Sequence, residues 1–199
     1  MEEKLTKEMA QKLMAMKGEA RGTTIKYDWD FILRQKGEEG LKKLEEKMAE
    51  LGFPLRYKEI KPVGFYPVGM DALSMLIIKE LFDFGEKEFR ELGAAEVKLS
   101  FLERLLVKYF ASFSILIKGV PQMWQSHYTI GNLEVIEANE KEKYVILRLK
   151  DFTAHLPFCF ILRGFLPKTI EMVKRVNATC EETKCTLRGD DYHEFVLRW

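Results

Sequence analysis

The chain has 199 residues, of which 47% are hydrophobic, enough to bury a substantial core in one domain or slightly more. Its 32 Lys and Arg residues are balanced by 31 Asp and Glu residues, which argues against a general attraction to nucleic acid or anionic lipid. Charged residues make up 32% of the chain, and a composition this rich in Lys and Glu is typical of thermophile proteins.

The N-terminal segment and the apolar runs predict the cellular compartment of the protein. Residues 1–20 are charged and amphipathic, without the apolar core of a secretory signal. The most apolar run, Leu105 to Ile117, is interrupted by Lys108 and is shorter than the roughly 18–20 residues that span a bilayer. We therefore expect a cytoplasmic protein with no membrane span. In that reducing compartment its three cysteines are expected to be free thiols or metal ligands.

The first half of the chain has the pattern of helices. Apolar residues recur there at spacings of three and four, and Gly or Pro residues mark the breaks. The predicted helices are Leu5–Met16, Tyr27–Gln35, Glu38–Leu51, Met70–Phe82, Glu86–Gly93 and the long apolar stretch Val97–Lys118. Phe53–Tyr66 contains Pro54 and Pro62 and is predicted to be an irregular connector.

The second half of the chain changes to a strand pattern. Residues 133–138 and 143–149 alternate apolar and polar side chains around a turn at Asn139–Lys143, which predicts a β-hairpin. Pro157 opens a helix that runs to Arg175, and residues 177–199 predict a second hairpin. The fold class is therefore α+β: N-terminal helices packed on a small antiparallel sheet, with a helical half followed by β-β-α-β-β.

The sequence lacks the common catalytic signatures. It has no GxxxxGK[ST] or GxGxxG phosphate-binding loop, no GxSxG nucleophile motif and no HExxH zinc motif. A nucleophilic Cys–His pair stays open, because such partners meet in space rather than in sequence. We expect a protein that is not an enzyme.

Residues 121–131 combine aromatic and polar side chains at the predicted helix-to-sheet junction. Trp124, His127 and Tyr128 could form a cluster that closes the core there. They could equally form the wall of a ligand pocket, with Phe110 and Phe113 contributing apolar surface and His127 a polar contact. The sequence leaves both alternatives open.

A second polar concentration lies between Cys180 and His193. That stretch contains two cysteines, the pair Glu181–Glu182 and a histidine, and Cys159 precedes it. Thiolate, imidazole and carboxylate are the usual ligands of zinc, but the same residues could be buried thiols and surface charges. The ligand set is also open, because Cys180 could replace Glu182 and His155 lies four residues before Cys159.

The order of these elements resembles a known superfamily. It unites 4-vinyl-reductase-type small-molecule-binding domains, haem nitric-oxide-binding domains and transport-particle subunits. The similarity rests on residues 62–93, on the hairpin segment PQMWQSHYTIGNLEVIEANEKEKYVILRLKDF, and on the closing segment that starts at Phe158. It covers the chain from about residue 23, so residues 1–22 are expected to be an added helix and residues 23–199 a single α+β ligand-binding-type domain.

The resemblance implies a zinc site. Phenol-sensing members of the 4-vinyl-reductase-type branch hold a structural zinc with the pattern Cys-x22-Glu-x2-Cys-x7-Cys. The same register here is Cys159, Glu182, Cys185 and His193, with His in place of the last Cys. The haem branch is marked by a Tyr-x-Ser-x-Arg pattern and an axial histidine, neither of which we identify, so the resemblance implies zinc and no haem.

The resemblance also implies a function. Such domains sense effectors or act as scaffolds, commonly as dimers. We therefore expect a non-enzymatic module that binds an apolar or aromatic small molecule in a pocket between helices and sheet, forms a homodimer, and signals through a separate partner protein. The alternatives are a scaffold or assembly subunit of the same fold without a physiological ligand, and an enzyme acting on an aromatic or tetrapyrrole substrate.

Overall fold

The computed structural model describes residues 4–99, 113–152 and 155–199. They belong to two compact units: Met1–Gly85 with His127–Thr129, and Glu86–Ser126 with Ile130–Trp199. Helices dominate the first unit, and the second combines helices with a four-stranded antiparallel sheet. The predicted α+β class is confirmed.

The first unit is helical with a small β-ladder. Its elements are α1 (Lys7–Met14), β1 (Glu19–Arg21), α2 (Gly22–Glu50), β2 (Phe65–Pro67) and α3 (Val68–Phe82). β1 and β2 pair antiparallel. The core lies between α2 and α3, where the indole of Trp29 donates a hydrogen bond to Ser74 Oγ at 2.6 Å.

Helix α2 contains a break at Gly37. This glycine has φ of 68°, a left-handed conformation that favours glycine, and the helical geometry resumes after it. The sequence predicts two helices there, one ending at Gln35 and one starting at Glu38, so the break falls where we expected it. Asp83 ends α3 in the left-handed conformation, also at the predicted place.

The second unit holds α4 (Glu86–Leu99), α5 (Phe113–Gln125), β3 (Asn132–Asn139), β4 (Tyr144–Lys150), α6 (Leu156–Lys174), β5 (Thr179–Lys184) and β6 (His193–Arg198). The strands follow the order β3-β4-β6-β5, all antiparallel. Alternate residues of β4 and β6 are buried, and α6 packs against β5 and β6. Both predicted hairpins and the helix between them are present.

Helices α4 and α6 pack at backbone contact. A Cβ on Gly93 would lie 2.1 Å from the carbonyl oxygen of Ile161, and a Cβ on Gly164 would lie 2.0 Å from that of Arg90. The prediction that Gly93 ends a helix is wrong, because α4 continues to Leu99. Gly93 allows α4 to pack closely against α6 and does not end the helix.

Two further differences separate the structure from the sequence-based prediction. Strands β1 and β2 were not predicted, because three-residue strands are too short to show alternation and lie among Gly and Pro residues. The predicted helix Val97–Lys118 is seen only at its ends, in α4 and α5, and residues 100–112 lie outside the described residues. Among the helices that are described, none combines the length and the apolar character that crossing a bilayer requires.

Candidate metal centre

The structure brings Cys159, Glu182, Cys185 and His193 together. One donor atom from each lies within 4.8 Å of all the others. Cys159 Sγ is 3.9 Å from Cys185 Sγ and 3.8 Å from His193 Nδ1, and His193 Nδ1 is 3.0 Å from Glu182 Oε1. Donors around a tetrahedral ion with bonds of about 2.0–2.3 Å are roughly 3.3–3.8 Å apart, so these distances approach a preformed four-ligand site.

Three chain segments supply the four side chains. Cys159 lies in the first turn of α6, and His193 is the first residue of β6. Glu182 is in β5, where the register shifts between Glu182 and Lys184, and Cys185 follows directly after that strand. In a regular strand residues 182 and 185 would face opposite sides, and the irregularity lets both reach one point.

The site is buried, and hydrogen bonds from neighbouring residues order it. Cys159 and His193 are each 1% exposed, and Cys185 is 2% exposed. Thr186 Oγ1 lies 2.8 Å from His193 Nε2, so this hydroxyl fixes the imidazole ring with Nδ1 toward the other three donors. Asp190 accepts a hydrogen bond from the backbone N–H of Cys185 at 2.8 Å and holds the turn after β5.

Burial and close neighbours shift the pKa values of two of the four side chains, Cys159 and Glu182. Burial, together with Glu182 and the thiol of Cys185, raises the pKa of Cys159. Burial also acts to raise the pKa of Glu182, but hydrogen bonds from His193, Cys185 and Cys159 outweigh it, and the pKa is lowered. A carboxylate therefore stands beside a buried thiol, an arrangement that a bound cation would stabilise.

The two alternative ligands do not join this cluster. Cys180 is buried in β5, and burial raises the pKa of its thiol to about 12. Among the described residues, the cluster of metal-ligating groups contains neither Cys180 nor His155. The ring of His155 instead lies against Phe158, with centroids 6.1 Å apart.

The predicted ligand-binding residues occupy defined but separate positions. Trp124 donates from Nε1 to the carbonyl of Ile130 at 2.9 Å and packs edge-on against Phe152. Phe113 packs against Trp199 at 4.9 Å. The backbone carbonyl of His127 accepts from Arg21, Tyr128 contacts Asp71, and Phe110 lies outside the described residues.

Asp71 is a polar site that the sequence did not reveal. Its side chain is 2% exposed and accepts hydrogen bonds from Thr24 Oγ1 at 3.1 Å and Tyr128 Oη at 3.2 Å. Burial raises the pKa of Asp71 to about 7, against the opposing effect of the two hydroxyl donors. The signal was an acidic residue in the mostly apolar first half of α3, a pattern that is informative only when the residue is known to be buried.

Comparison with known proteins places the fold but not the family. No family model matches the chain, and no curated protein does so. Solved structures do match. An H-NOX (haem-NO-binding) protein from S. oneidensis in the Fe(II)NO ligation state superposes with a TM-score of 0.67 at 13% identity, covering 89% of this chain and 98% of that one.

Two further structures agree with this match. An Fe(II) unliganded H-NOX mutant from K. algicida gives a TM-score of 0.64 at 14% identity, covering 89% of this chain and 95% of that one. A structure described as modulating haem redox potential through protein-induced porphyrin distortion gives 0.56 at 11% identity, covering 90% and 99%. The chain therefore has the fold of H-NOX proteins, and these comparisons do not confirm the 4-vinyl-reductase-type label.

The cofactor prediction, zinc and no haem, is corrected by these comparisons. The structures with this fold include haem proteins, so the fold gives no ground for excluding haem. The prediction relied on the absence of the Tyr-x-Ser-x-Arg pattern and of an axial histidine, and at 11–14% identity individual contact residues differ while the fold persists.

Strand β4 also carries more of that motif than the sequence analysis recognised. Tyr144 and Arg148 have the spacing of the Tyr-x-Ser-x-Arg pattern, with Ile146 at the serine position. All three are half-buried on one face of the strand. Arg148 donates to Glu194 at 2.9 Å, and its guanidinium lies 4.0 Å from the centroid of the Tyr192 ring. A pattern search that tolerated one substitution would have found them.

Proposed function

We propose that this protein is a non-enzymatic small-molecule-binding sensor domain that signals through a separate partner protein. The observation that carries the proposal is the H-NOX fold, matched over 89% of the chain, because proteins with this fold include one described in an NO-ligated state. The absence of the common catalytic motifs from the sequence supports a binding role. The cytoplasmic location inferred from the sequence stays a prediction.

The ligand pocket also stays a prediction. We propose that Phe113, Trp124, His127 and Tyr128 contribute to it, with Phe110 as a further apolar residue. Trp124 and Tyr128 each use their polar atom in a hydrogen bond, so they would offer a ligand mainly aromatic surface. An apolar or aromatic molecule is the class of ligand that such surfaces select.

Haem is the first ligand to test. The chain has some of the residues that haem binding requires and lacks others. Arg148 and Tyr144 on β4 could contact carboxylates of the porphyrin, but α5 contains no histidine to serve as an axial ligand. His155 has a shielded Nδ1 without a hydrogen-bond partner among the described residues, and it is the histidine we would examine for iron coordination.

Two measurements on the full chain test the binding function. A native mass spectrum of the purified protein is expected to show a bound molecule of small mass. Titration with haemin is expected to give a saturable Soret band if haem is the ligand. A protein that carries no small molecule as purified, and that binds neither haemin nor any member of an aromatic compound set, would contradict the proposed function.

We further propose that Cys159, Glu182, Cys185 and His193 hold one divalent metal ion with a structural role. This donor set suits zinc and the neighbouring first-row ions. All four positions would be filled by protein, which favours a structural over a catalytic role. The ion would join the first turn of α6 to β5 and β6. The register that the set shares with 4-vinyl-reductase-type domains supports assignment to that branch.

Elemental analysis tests the metal proposal. Protein prepared without chelator is expected to contain about one equivalent of a first-row divalent metal. Cobalt(II) added to metal-free protein is expected to give a thiolate charge-transfer absorption, since two ligands are cysteines. Metal below about a tenth of an equivalent, together with no cobalt spectrum, would leave the four residues as a hydrogen-bonded cluster only.

The homodimer remains part of the proposal. The apolar stretch Val97–Ile117 favours a dimer because one domain of this size would bury only part of its surface, but most of the stretch lies outside the described residues. Ile115 in α5 is 46% exposed, which is consistent with an apolar contact surface on that helix. Sedimentation at micromolar concentration is expected to give twice the 23.3 kDa chain mass, and a species of the single-chain mass would contradict the dimer.

A further inference from the structure

Helices α4 and α6 form a cleft of about 770 Å³ within the second unit. Its volume is in the range of small-molecule sites, which is about 300–1,000 Å³. Part of its lining consists of small apolar residues, namely Ala94, Ala95, Gly164, Pro167 and Ala178. These leave room for the body of a ligand. The charged side chains in the lining come from both helices.

Two arginines in this cleft converge on one carboxylate oxygen. Arg163 Nη2 lies 2.9 Å from Glu86 Oε1, and Arg90 Nη1 lies 3.4 Å from the same atom. The cleft also contains Lys87 and Lys168, and Lys168 pairs with Glu171 at 2.8 Å. The two guanidiniums therefore already define a point where an oxyanion is stabilised.

Glu86 satisfies only part of Arg163. The Nε of Arg163 is buried and has no hydrogen-bond partner among the described residues, while Nη2 contacts Glu86 through a single oxygen. A guanidinium binds carboxylate or phosphate best through two parallel N–H···O bonds, and Glu86 does not supply the second one. The side chain of Arg163 is 23% exposed, whereas Glu86 is 44% exposed and therefore easier to displace.

We propose that this cleft binds a small organic oxyanion, a molecule with a phosphate or carboxylate group on an apolar body. The oxyanion takes Nε and Nη2 of Arg163 together and displaces Glu86 from it. Arg90 adds a second positive charge, and the apolar body lies against Ala94, Ala95 and Pro167. This site is distinct from the metal cluster and from the predicted aromatic pocket, so it does not depend on the proposed sensor function.

The experiment compares phenyl phosphate, benzoate and phenol by isothermal titration calorimetry on the full chain at constant ionic strength. Phenyl phosphate or benzoate is expected to bind, and phenol, which lacks the oxyanion, is not. The stronger of the two anions identifies the preferred group. Binding of phenol as tight as that of both anions would overturn the proposal, because the cleft would then recognise only the apolar body.

Variants test the role of the guanidinium. Arg163→Lys keeps the charge but loses the two-pronged geometry, and we expect affinity to fall about tenfold. Glu86→Gln removes the competing charge, and we expect affinity to rise severalfold. Arg56→Lys, at a surface position outside the cleft, is the matched control and should leave affinity unchanged.

Two results with the variants would also overturn the proposal. One is equal affinity in Arg163→Lys and Arg56→Lys, with circular dichroism showing both folded. The other is affinity unchanged or lower in Glu86→Gln, because Glu86 would then not occupy the oxyanion position. The second variant keeps the test decisive even if Arg163→Lys fails to fold.

Discussion

The hydroxyl of Tyr128 donates a hydrogen bond to Oδ2 of Asp71, 3.2 Å away in the core of the first unit. Tyr128 follows α5 and precedes β3 along the chain, yet its segment, His127–Thr129, belongs to the unit that contains Asp71. Backbone hydrogen bonds from Arg21 to the carbonyl of His127 at 2.7 Å and from Thr129 to the carbonyl of Glu19 at 3.0 Å reinforce this attachment.

The Asp71 carboxyl predicts an unusual dependence of stability on pH. Burial raises its pKa from 3.8 to about 7, so between these values the folded state keeps a proton that the unfolded state releases. Its contribution to the free energy of unfolding is fully present at low pH and is lost as pH rises toward 7. Relative to Asp71→Asn, we expect the wild type to lose a few kcal/mol of stability between about pH 4 and about pH 7.

Urea unfolding of both proteins across that range measures the difference directly. The amide of Asn keeps an acceptor for Thr24 or Tyr128 without the ionisation, so subtracting its curve cancels the other carboxylates. Parallel curves for wild type and Asp71→Asn would show that Asp71 does not titrate in this range. The variant Tyr128→Phe should steepen the wild-type loss, because it removes one donor that stabilises the carboxylate.

The half-buried His155 predicts that stability changes with pH in the opposite direction. Burial lowers its pKa from 6.5 to about 4, so the unfolded state takes up a proton first as the solution is acidified. The stability associated with neutral His155 is therefore present above about pH 6.5 and lost toward pH 4. His155→Phe should reduce this loss of stability at acid pH by about 1–2 kcal/mol, less than the full shift implies because the residue is only half-buried.

Thermal unfolding of His155→Phe at several pH values checks this effect. At about pH 7.5 we expect little change or a small gain, because phenylalanine keeps the ring contact with Phe158 and removes a polar atom without a hydrogen-bond partner among the described residues. If the loss of stability of His155→Phe at acid pH matches that of the wild type, the ring is solvated enough to titrate normally.

The metal proposal predicts that two buried cysteines respond differently to the same substitution. Cys159→Ser removes a donor and should lower the metal content severalfold and the Tm by about 10 °C. Cys180→Ser replaces a thiol that is buried outside the cluster, so it should lower stability but leave metal content near one equivalent. Elemental analysis with differential scanning fluorimetry distinguishes the two, and equal metal content in both variants would rule out Cys159 as a ligand.

The contact between α4 and α6 predicts a large penalty for a single methyl group. Gly93→Ala and Gly164→Ala would each place a Cβ about 2 Å from a backbone oxygen of the other helix, which must then move away. We expect each to lower the free energy of unfolding by about 1–3 kcal/mol or more. Gly119→Ala in α5 is the matched control, because its Cβ would lie more than 4 Å from every other side chain and backbone segment that the structure describes.

In that control, alanine should stabilise helix α5. We expect Gly119→Ala to raise stability by about 0.5–1 kcal/mol, since glycine in a helix has greater freedom to lose on folding. Guanidinium unfolding of the three variants gives the comparison. Equal effects at positions 93, 164 and 119 would mean that helix propensity rather than the interhelical contact controls the outcome.

The sequence predicted best those elements whose residues repeat with a clear period. The hairpin strands β3 and β4 alternate around a polar turn, and α3 is bounded by Pro67 and Asp83, so local patterns identify them. Helix α4 was predicted too short because a glycine can either end a helix or permit close contact. Only the position of Ile161 on another helix distinguishes these roles.

The residues of the candidate sites could likewise be predicted only where a pattern in the sequence relates them. Cys159, Glu182, Cys185 and His193 could be proposed together because a family register related them, although spacing alone left Cys180 and His155 open. Arg163 and Glu86 could not be proposed, because they are far apart in sequence and ordinary in type. Their relationship depends on how α4 and α6 align, which no local pattern encodes.

The strand order β3-β4-β6-β5 has a consequence for folding kinetics. Each hairpin closes a short loop, and isolated hairpins form in about 1–10 μs. The seam between β4 and β6 instead pairs Leu149 with His193 and Tyr144 with Arg198, so the whole of α6 lies inside the loop that must close. Such high contact order slows folding. Closing this loop also brings together the proposed metal ligands from α6, β5 and β6. A cation that binds these donors during refolding should therefore accelerate the closure of this loop.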